Sequence, residues 1–286
     1  MMSSAQERDG GLLPLGRPGT VAYCTVLTLV FLFLGFPFDR LGDRLVSSLS
    51  DASGAEIRFT ELSGYLSLAG PGFEATDIRF VGRDSTQFDF DRLRIRPAWS
   101  LAWFLLTPAV HLDVEGPLGR VVGTAVIDRA APSFEGVLED LDLTKLPIQT
   151  LWPEITVSGS LNADIVLTAG SPSPEGSVQF EARDGGLGMP GMPGMPFESV
   201  LGEIELGGEA LVRIISFRAQ SPMFTADVSG QIGMDEYFVR APLDFEIKIQ
   251  AQPRFAPAIR AFGLDVDSSG AVTVHLTGTP SSPQLN

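Results

Sequence analysis

The chain of 286 residues is 44% hydrophobic and 19% charged, long and apolar enough for a substantial core and far from the composition of a disordered chain. With 35 Asp and Glu against 20 Lys and Arg, its formal net charge of -15 repels a polyphosphate backbone and excludes nucleic acid as a natural partner. One cysteine and two histidines leave no internal disulfide and no multi-thiolate or histidine-rich metal centre, so no metal or cofactor is expected and function is sought in the architecture.

Residues 1–20 read as a short N-terminal tail, followed by a stretch from Arg17 to Asp39 with no intervening charge. Its apolar part, Val21 to Phe38, reads VAYCTVLTLVFLFLGFPF and as a helix is about long enough to cross a ~30 Å hydrocarbon core. The run predicts one transmembrane helix over 21–38, anchored by Val21, Leu27, Leu29, Val30, Phe31, Leu32, Phe33 and Leu34, with Tyr23, Phe36 and Phe38 at its interfacial ends and Cys24 inside it. A cleaved signal peptide is the alternative, but the apolar run is longer than such peptides carry, and the Ser50-x-Ala52 site lies well beyond it. Arg8 and Arg17 before the helix balance Arg40 and Arg44 after it, so orientation rests on the short tail and the cysteine-free body, which fit an inside tail and an exported body. Residues 39–55, with Leu41, Leu45 and Leu49, read as a linker to a body over 56–286.

The body is written in period two. Ile155, Val157, Leu161, Ile165 and Leu167 alternate with Thr156, Ser158, Asn162 and Asp164, the pattern of a strand with one apolar face. The same pattern recurs in Phe224, Val228 and Ile232, in Phe245, Ile247 and Ile249, and in Val272, Val274 and Leu276. Shorter versions occur at Ile57/Phe59, Ile78/Phe80, Leu112/Val114, Val178/Phe180 and Ile204/Leu206. From Phe88 and Phe90 to Leu93 and Ile95 the apolar parity switches, which predicts a bulge near Asp91. Helix candidates are few: Trp99 to Leu106, Leu141 to Trp152, and the stripe Phe255, Ile259, Phe262. Three short helices cannot cover so many strands. The apolar faces must therefore meet in a sandwich or barrel, or line an elongated, curled, mostly antiparallel sheet whose open apolar groove holds lipid chains.

Several smaller features have bland readings. The repeat Gly188 to Pro196, GMPGMPGMP, is expected to be an exposed loop barred from a sheet interior by its prolines, with a methionine-rich contact pad as the functional alternative. Arg92, Arg94 and Arg96 share one strand face and are expected to be solvated and paired to nearby Asp residues rather than to hold anionic head groups. His111 and His275 sit at polar positions of their strands, Glu135, Glu139, Asp140 and Asp142 lack acid/base spacing, and no P-loop, GxGxxG or GxSxG motif occurs. No catalytic residue is assigned, and the chain is read as a non-enzyme.

The segment Asp140 to Ala169, DLDLTKLPIQTLWPEITVSGSLNADIVLTA, resembles the leucine-proline helix and glycine-bearing strand of the AsmA/TamB-like superfamily. The tail Gly270 to Leu285, GAVTVHLTGTPSSPQL, resembles the strand and Thr-Pro turn of the same proteins. In size and single anchor the chain is most similar to protein N of the type II (general) secretion pathway, the GspN family. That resemblance implies a bacterial inner-membrane protein with a single-pass anchor and a periplasmic body, accessory to the type II secretion machine and partnered by its other components. The superfamily implies a groove-like sheet that contacts phospholipid, and favours the groove over the closed sandwich. The alternative function is AsmA/TamB-like phospholipid transfer outside any secretion machine; a carbohydrate-active enzyme rests on abundant carboxylates alone.

Overall fold

Runs that alternate aliphatic or aromatic residues with charged and hydroxyl ones bury one side chain in two, and in the computed structural model each becomes a strand. The structure describes residues 24–25, 27–28, 56–67, 70–81, 87–98, 108–128, 131–146, 155–169, 175–188, 194–208, 210–235, 240–255, 267 and 269–285. The strands are β1 (Glu56–Arg58), β2 (Glu61–Ser67), β3 (Gly70–Val81), β4 (Gln87–Pro97), β5 (Ala109–Gly116), β6 (Gly119–Val126), β7 (Ser133–Asp142) and β8 (Thr156–Thr168). They continue with β9 (Glu175–Gly188), β10 (Met195–Leu206), β11 (Ala210–Gln220), β12 (Phe224–Gly233), β13 (Leu243–Ala251), β14 (Ala271–Thr279) and β15 (Ser282–Leu285).

All belong to one 15-stranded antiparallel sheet. From β3 to β15 every strand pairs with its sequence neighbours, while β1 and β2 lie one after the other along the free edge of β3. The sheet is open, because no ladder joins β1 or β2 to β15. The substantial contacts among the described elements are between ladder neighbours, apart from one 3-10 turn that packs on β8. The sandwich and the closed barrel are thereby overturned for the described residues: a continuous meander places all apolar faces on one side and supplies no second sheet to meet them.

The helix expected over Leu141 to Trp152 is also corrected. Leu141 and Asp142 end β7, and only Leu143–Lys145 turn, as a single 3-10 turn. The Asp142 carboxylate accepts the Thr144 N–H at 3.0 Å and its hydroxyl at 2.6 Å, a cap that serves one turn and no more. Of the third helix candidate, Pro253–Phe255 form another 3-10 turn; residues 256–266, like Trp99 to Leu106 and 147–154, lie outside the described residues. So do the linker 39–55 and most of the anchor, Val21 and Leu29 to Leu34 included. Cys24, Thr25, Leu27 and Thr28 are helical, with the Thr28 hydroxyl donating to the Cys24 carbonyl at 2.8 Å. Among the described residues no helix is long and apolar enough to cross a membrane.

Parity switches are handled by aspartates. Asp77, Asp140 and Asp184 have φ of 51°, 51° and 49°, in the left-handed region that Asp enters more readily than most residues. Each lies between apolar residues spaced by three: Ala75 and Ile78, Leu138 and Leu141, Ala182 and Gly185. The twisted residue returns the next apolar side chain to the same side, so Ala75 and Ile78 share one cluster with Leu62, Phe73, Phe90 and Leu93. The bulge expected near Asp91 is corrected in kind: the switch occurs at that level, but β3–β4 pairing runs from Phe73↔Ile95 to Val81↔Gln87 without a register shift, and the left-handed residue is Asp77 on the neighbouring strand.

What is fully buried is small. Ala75, Ala109, Ala163, Ala182, Ala226 and Ala251 are buried, whereas no large side chain among the described residues is completely so. Glycines lie beneath aromatic rings: a Cβ on Gly202 would stand 2.3 Å from the Phe180 ring, and one on Gly136 would stand 2.6 Å from both the Phe134 ring and the Val122 carbonyl oxygen. Two predictions follow from these contacts. Gly136→Ala, blocked by backbone, should lower stability by about 1–3 kcal/mol, and Gly202→Ala, blocked only by a ring tip, should cost clearly less, as urea unfolding midpoints will report. Asp184→Val should cost about 1–2 kcal/mol through its left-handed φ while Asp184→Gly is neutral or stabilising, again read from unfolding midpoints.

Candidate functional site

Register carries the apolar side of one strand onto the next, because directly opposed residues in an antiparallel pair project to the same face. One cross-strand row runs Gly64, Phe73, Ile95, Leu112, Gly123, Gly136, Ile165, Val178, Ile204, Ile214, Gly230, Phe245, Leu276, from β2 to β14. Every member is apolar or glycine. A parallel row runs Phe134, Leu167, Gly176, Leu206, Val212, Ile232, Leu243.

All the residues assigned from the sequence to an apolar groove lie on this side. Val157 pairs with Leu187, Leu161 with Ala182, Ile165 with Val178, and Leu167 with Gly176. Phe224 pairs with Ala251, Val228 with Ile247, Ile232 with Leu243, and Ile249 with Ala226, while Phe245 lies beside Gly230. Ile155 precedes β8 and, like the others, is half-buried. Their alternates on β8, Thr156, Ser158, Asn162 and Asp164, are exposed.

Sequence reasoning missed a second set on the same side: Phe134, Leu141, Phe197, Val200, Phe217 and Ala219. Glycines and bulges interrupt their alternation, as where β10–β11 pairing shifts between Glu203 and Ile204. A signal was available for Phe134, an aromatic residue two from a glycine, since Gly136 on this face makes room for its ring; Phe197 and Phe217 carry no such mark.

The turn Leu143–Lys145 lies across this face. Leu143, Ala182 and Val200 are buried together, with Leu141, Leu146, Val157, Leu161, Phe180, Phe197 and Phe217 packed around them. Lys145 Nζ donates to the Pro117 carbonyl at 2.7 Å and the Asp142 N–H to the Leu118 carbonyl at 2.8 Å, which ties the turn to the β5–β6 hairpin. Beside it opens a cavity of about 740 Å³ bounded by Leu143, Leu146, Ile155, Val157, Leu187 and Met195. Here the Gly-Met-Pro repeat departs from the loop expected of it. Gly188 ends β9, and Met195 and Pro196 begin β10 opposite Leu187 and Gly186, while 189–193 lie outside the described residues. Pro196 is tolerated because β11 pairs with β10 only from Ser199 onward, so the missing N–H falls where β10 has one neighbour.

The other side of the sheet is polar, and in its N-terminal half the charges are paired. Arg94 Nε donates to Glu74 at 2.6 Å, Arg92 bonds Glu115, and Arg120 holds Asp113 with two bonds of 2.9 Å and reaches Glu139 at 3.4 Å. The pairing expected for Arg92 and Arg94 is observed, but with Glu115 and Glu74 in place of Asp, and Arg96 makes no ion pair among the described residues. The Arg120 hydrogen bonds hold the Asp113 carboxyl below its ordinary range, and Asp113 raises Arg120 in return. Burial, followed by the nearby Arg96, pushes His111 down. Among the described residues no group of three or more His, Cys, Asp and Glu side chains could hold a metal ion.

Comparison with protein-family models, with curated proteins and with solved structures returns no match to this chain.

Asp113 and His111 both bind a proton more readily in the unfolded chain than in the folded one. The His111 contribution is whole above its ordinary value of 6.5 and is lost as pH falls below it; that of Asp113 is whole above 3.8 and is lost below that, together with those of Asp89, Asp142 and Asp267, which hydrogen bonds also hold down. Stability should therefore fall in two steps on acidification. His111→Gln should remove the upper step and Asp113→Asn should shrink the lower, in urea midpoints measured across that range.

Proposed function

We propose that this chain is a non-enzymatic, inner-membrane anchored periplasmic protein accessory to type II secretion, and that the apolar side of its sheet is a groove that holds lipid chains. The observation that carries the lipid part is the unbroken apolar row from Gly64 to Leu276, on a sheet to which the described residues supply no second layer. Apolar surface of that continuity is left by soluble proteins only where something covers it. Side chains there are half-buried by their neighbours, which suits acyl chains lying on a floor of rings and glycines. Support for the anchor is the uncharged run from Val21 to Phe38; support for the secretion role is the likeness of the chain's size and single anchor to the GspN family, and Asp140 to Ala169 and Gly270 to Leu285 resemble the wider AsmA/TamB-like superfamily.

A second reading, phospholipid transfer outside any secretion machine, is favoured by one feature of the same row. It continues across β2 to β14 without a polar residue, as a path for a moving chain requires.

The experiment uses the full chain in a Gram-negative host, with a photo-crosslinking phenylalanine analogue replacing Ile165, Val228 or Ile247, or in control variants Asp164 or Ser229. Phospholipid should become attached at the first set and not at the second. Equal labelling of both sets, or none, overturns the groove. Recovery of secretion-machine components with the intact protein supports the accessory role, whereas lipid attachment with none recovered leaves the transfer reading standing.

A further inference from the structure

Alternation predicts polar residues along the outer side of β6 to β10, yet this side carries an apolar patch. Val122 and Val137 face each other across β6–β7, and Val166 lies one step away, opposite Glu135. Val137, Val166 and, further along, Leu201 are 40%, 47% and 49% exposed. Two shallow hollows of about 350 and 450 Å³ meet at Val137 and Asp164 and join these side chains into one groove.

The carboxylates around that groove differ from those of the N-terminal half. Glu135 and Asp164 make no ion pair among the described residues, Glu205 makes none although Arg213 stands opposite it, and Glu203 accepts only a long 3.4 Å hydrogen bond from Gln179, while Glu181 beside them holds Arg183. By contrast Glu74, Asp89, Asp113 and Glu115 each hold an arginine. Unpaired carboxylates ringing exposed valines favour one kind of occupant.

We propose that this outer groove, centred on Val137, Val166 and Asp164, docks a cationic segment of a partner protein that inserts aliphatic side chains among the valines and sets Lys or Arg against Glu135, Asp164, Glu203 and Glu205. An anionic membrane surface is repelled by the same carboxylates. A second copy would bring like charges together, and of the arginines it offers on this side Arg79, Arg92, Arg94, Arg120, Arg183 and Arg218 are already held by carboxylates, which among the described residues leaves it only Arg96 and Arg213. The inference is independent of lipid on the opposite side.

The test places the full chain in phosphatidylcholine nanodiscs and follows a fluorescent peptide of alternating Arg and Val by anisotropy, with empty nanodiscs as blank. Val137→Ser with Val166→Ser, and separately Asp164→Asn with Glu203→Gln, should each weaken binding about tenfold. Glu61→Gln with Asp244→Asn makes the same charge change elsewhere and should alter it less than about twofold. Circular dichroism verifies that the exposed serine pair leaves the fold intact. The proposal is overturned if the wild-type chain does not bind, if the control pair weakens binding as much as the patch pair, or if the serine pair binds like wild type. Sedimentation showing a dimer that the serine pair dissolves, or adsorption to phosphatidylglycerol vesicles through the same residues, would equally replace it.

Discussion

The structure depends on one constraint: a single antiparallel sheet must keep its apolar side chains on one side across fifteen strands, with register alone to enforce it. A slip of one residue at any ladder would turn a whole strand's apolar set to the polar side. The fold answers this locally. Left-handed aspartates at 77, 140 and 184 re-phase a strand wherever two apolar residues are three apart, and shifts such as that between Leu138 and Leu141 re-phase the ladder beside it. Because almost every connection is between neighbours in sequence, each hairpin corrects its own phase and passes a continuous face to the next.

How much of this was legible in the sequence depends on the strand. β8, β12, β13 and β14 alternate without interruption over most of their length, so their apolar residues could be named and their common face inferred. β9 to β11 could not be read so far, because Gly185, Gly202 and the bulge at Ile215 break the alternation while the backbone continues. Leu141, Leu143 and Leu146 look helical by spacing, but Leu141 completes a strand and Asp142 caps a single turn. Alternation states that a strand has one apolar side and not what that side meets, so by itself it did not decide among open sheet, barrel and sandwich; the ladders did. The outer valines escaped notice for the opposite reason: a few apolar residues at polar positions carry meaning only when neighbouring strands place them together.

The two sides of the sheet solve different electrostatic problems. Between β3 and β7 the polar side is knitted by arginine–carboxylate pairs across strands, each weak where exposed but collectively fixing which residues stand opposite. Around Val137 and Val166, Glu135 and Asp164 hold no arginine, whereas Glu181 and Asp227 further along still do. A local group of uncompensated carboxylates on a side that is otherwise paired is suited to orienting a charged partner at that point of the sheet.

The apolar side bears on stability as well as on binding. Among the described residues contacts run from strand to strand, with no second layer, and the completely buried residues are small, so large side chains such as Phe180, Phe245 and Ile247 gain only part of the burial available in a two-layer core. The missing part returns only when something apolar lies against them. A ligand that binds the folded sheet and not the unfolded chain adds stability in proportion to the logarithm of its concentration over its dissociation constant. For this architecture occupancy and fold are therefore linked: whatever covers the face from Gly64 to Leu276 completes the core that the described residues leave half-built.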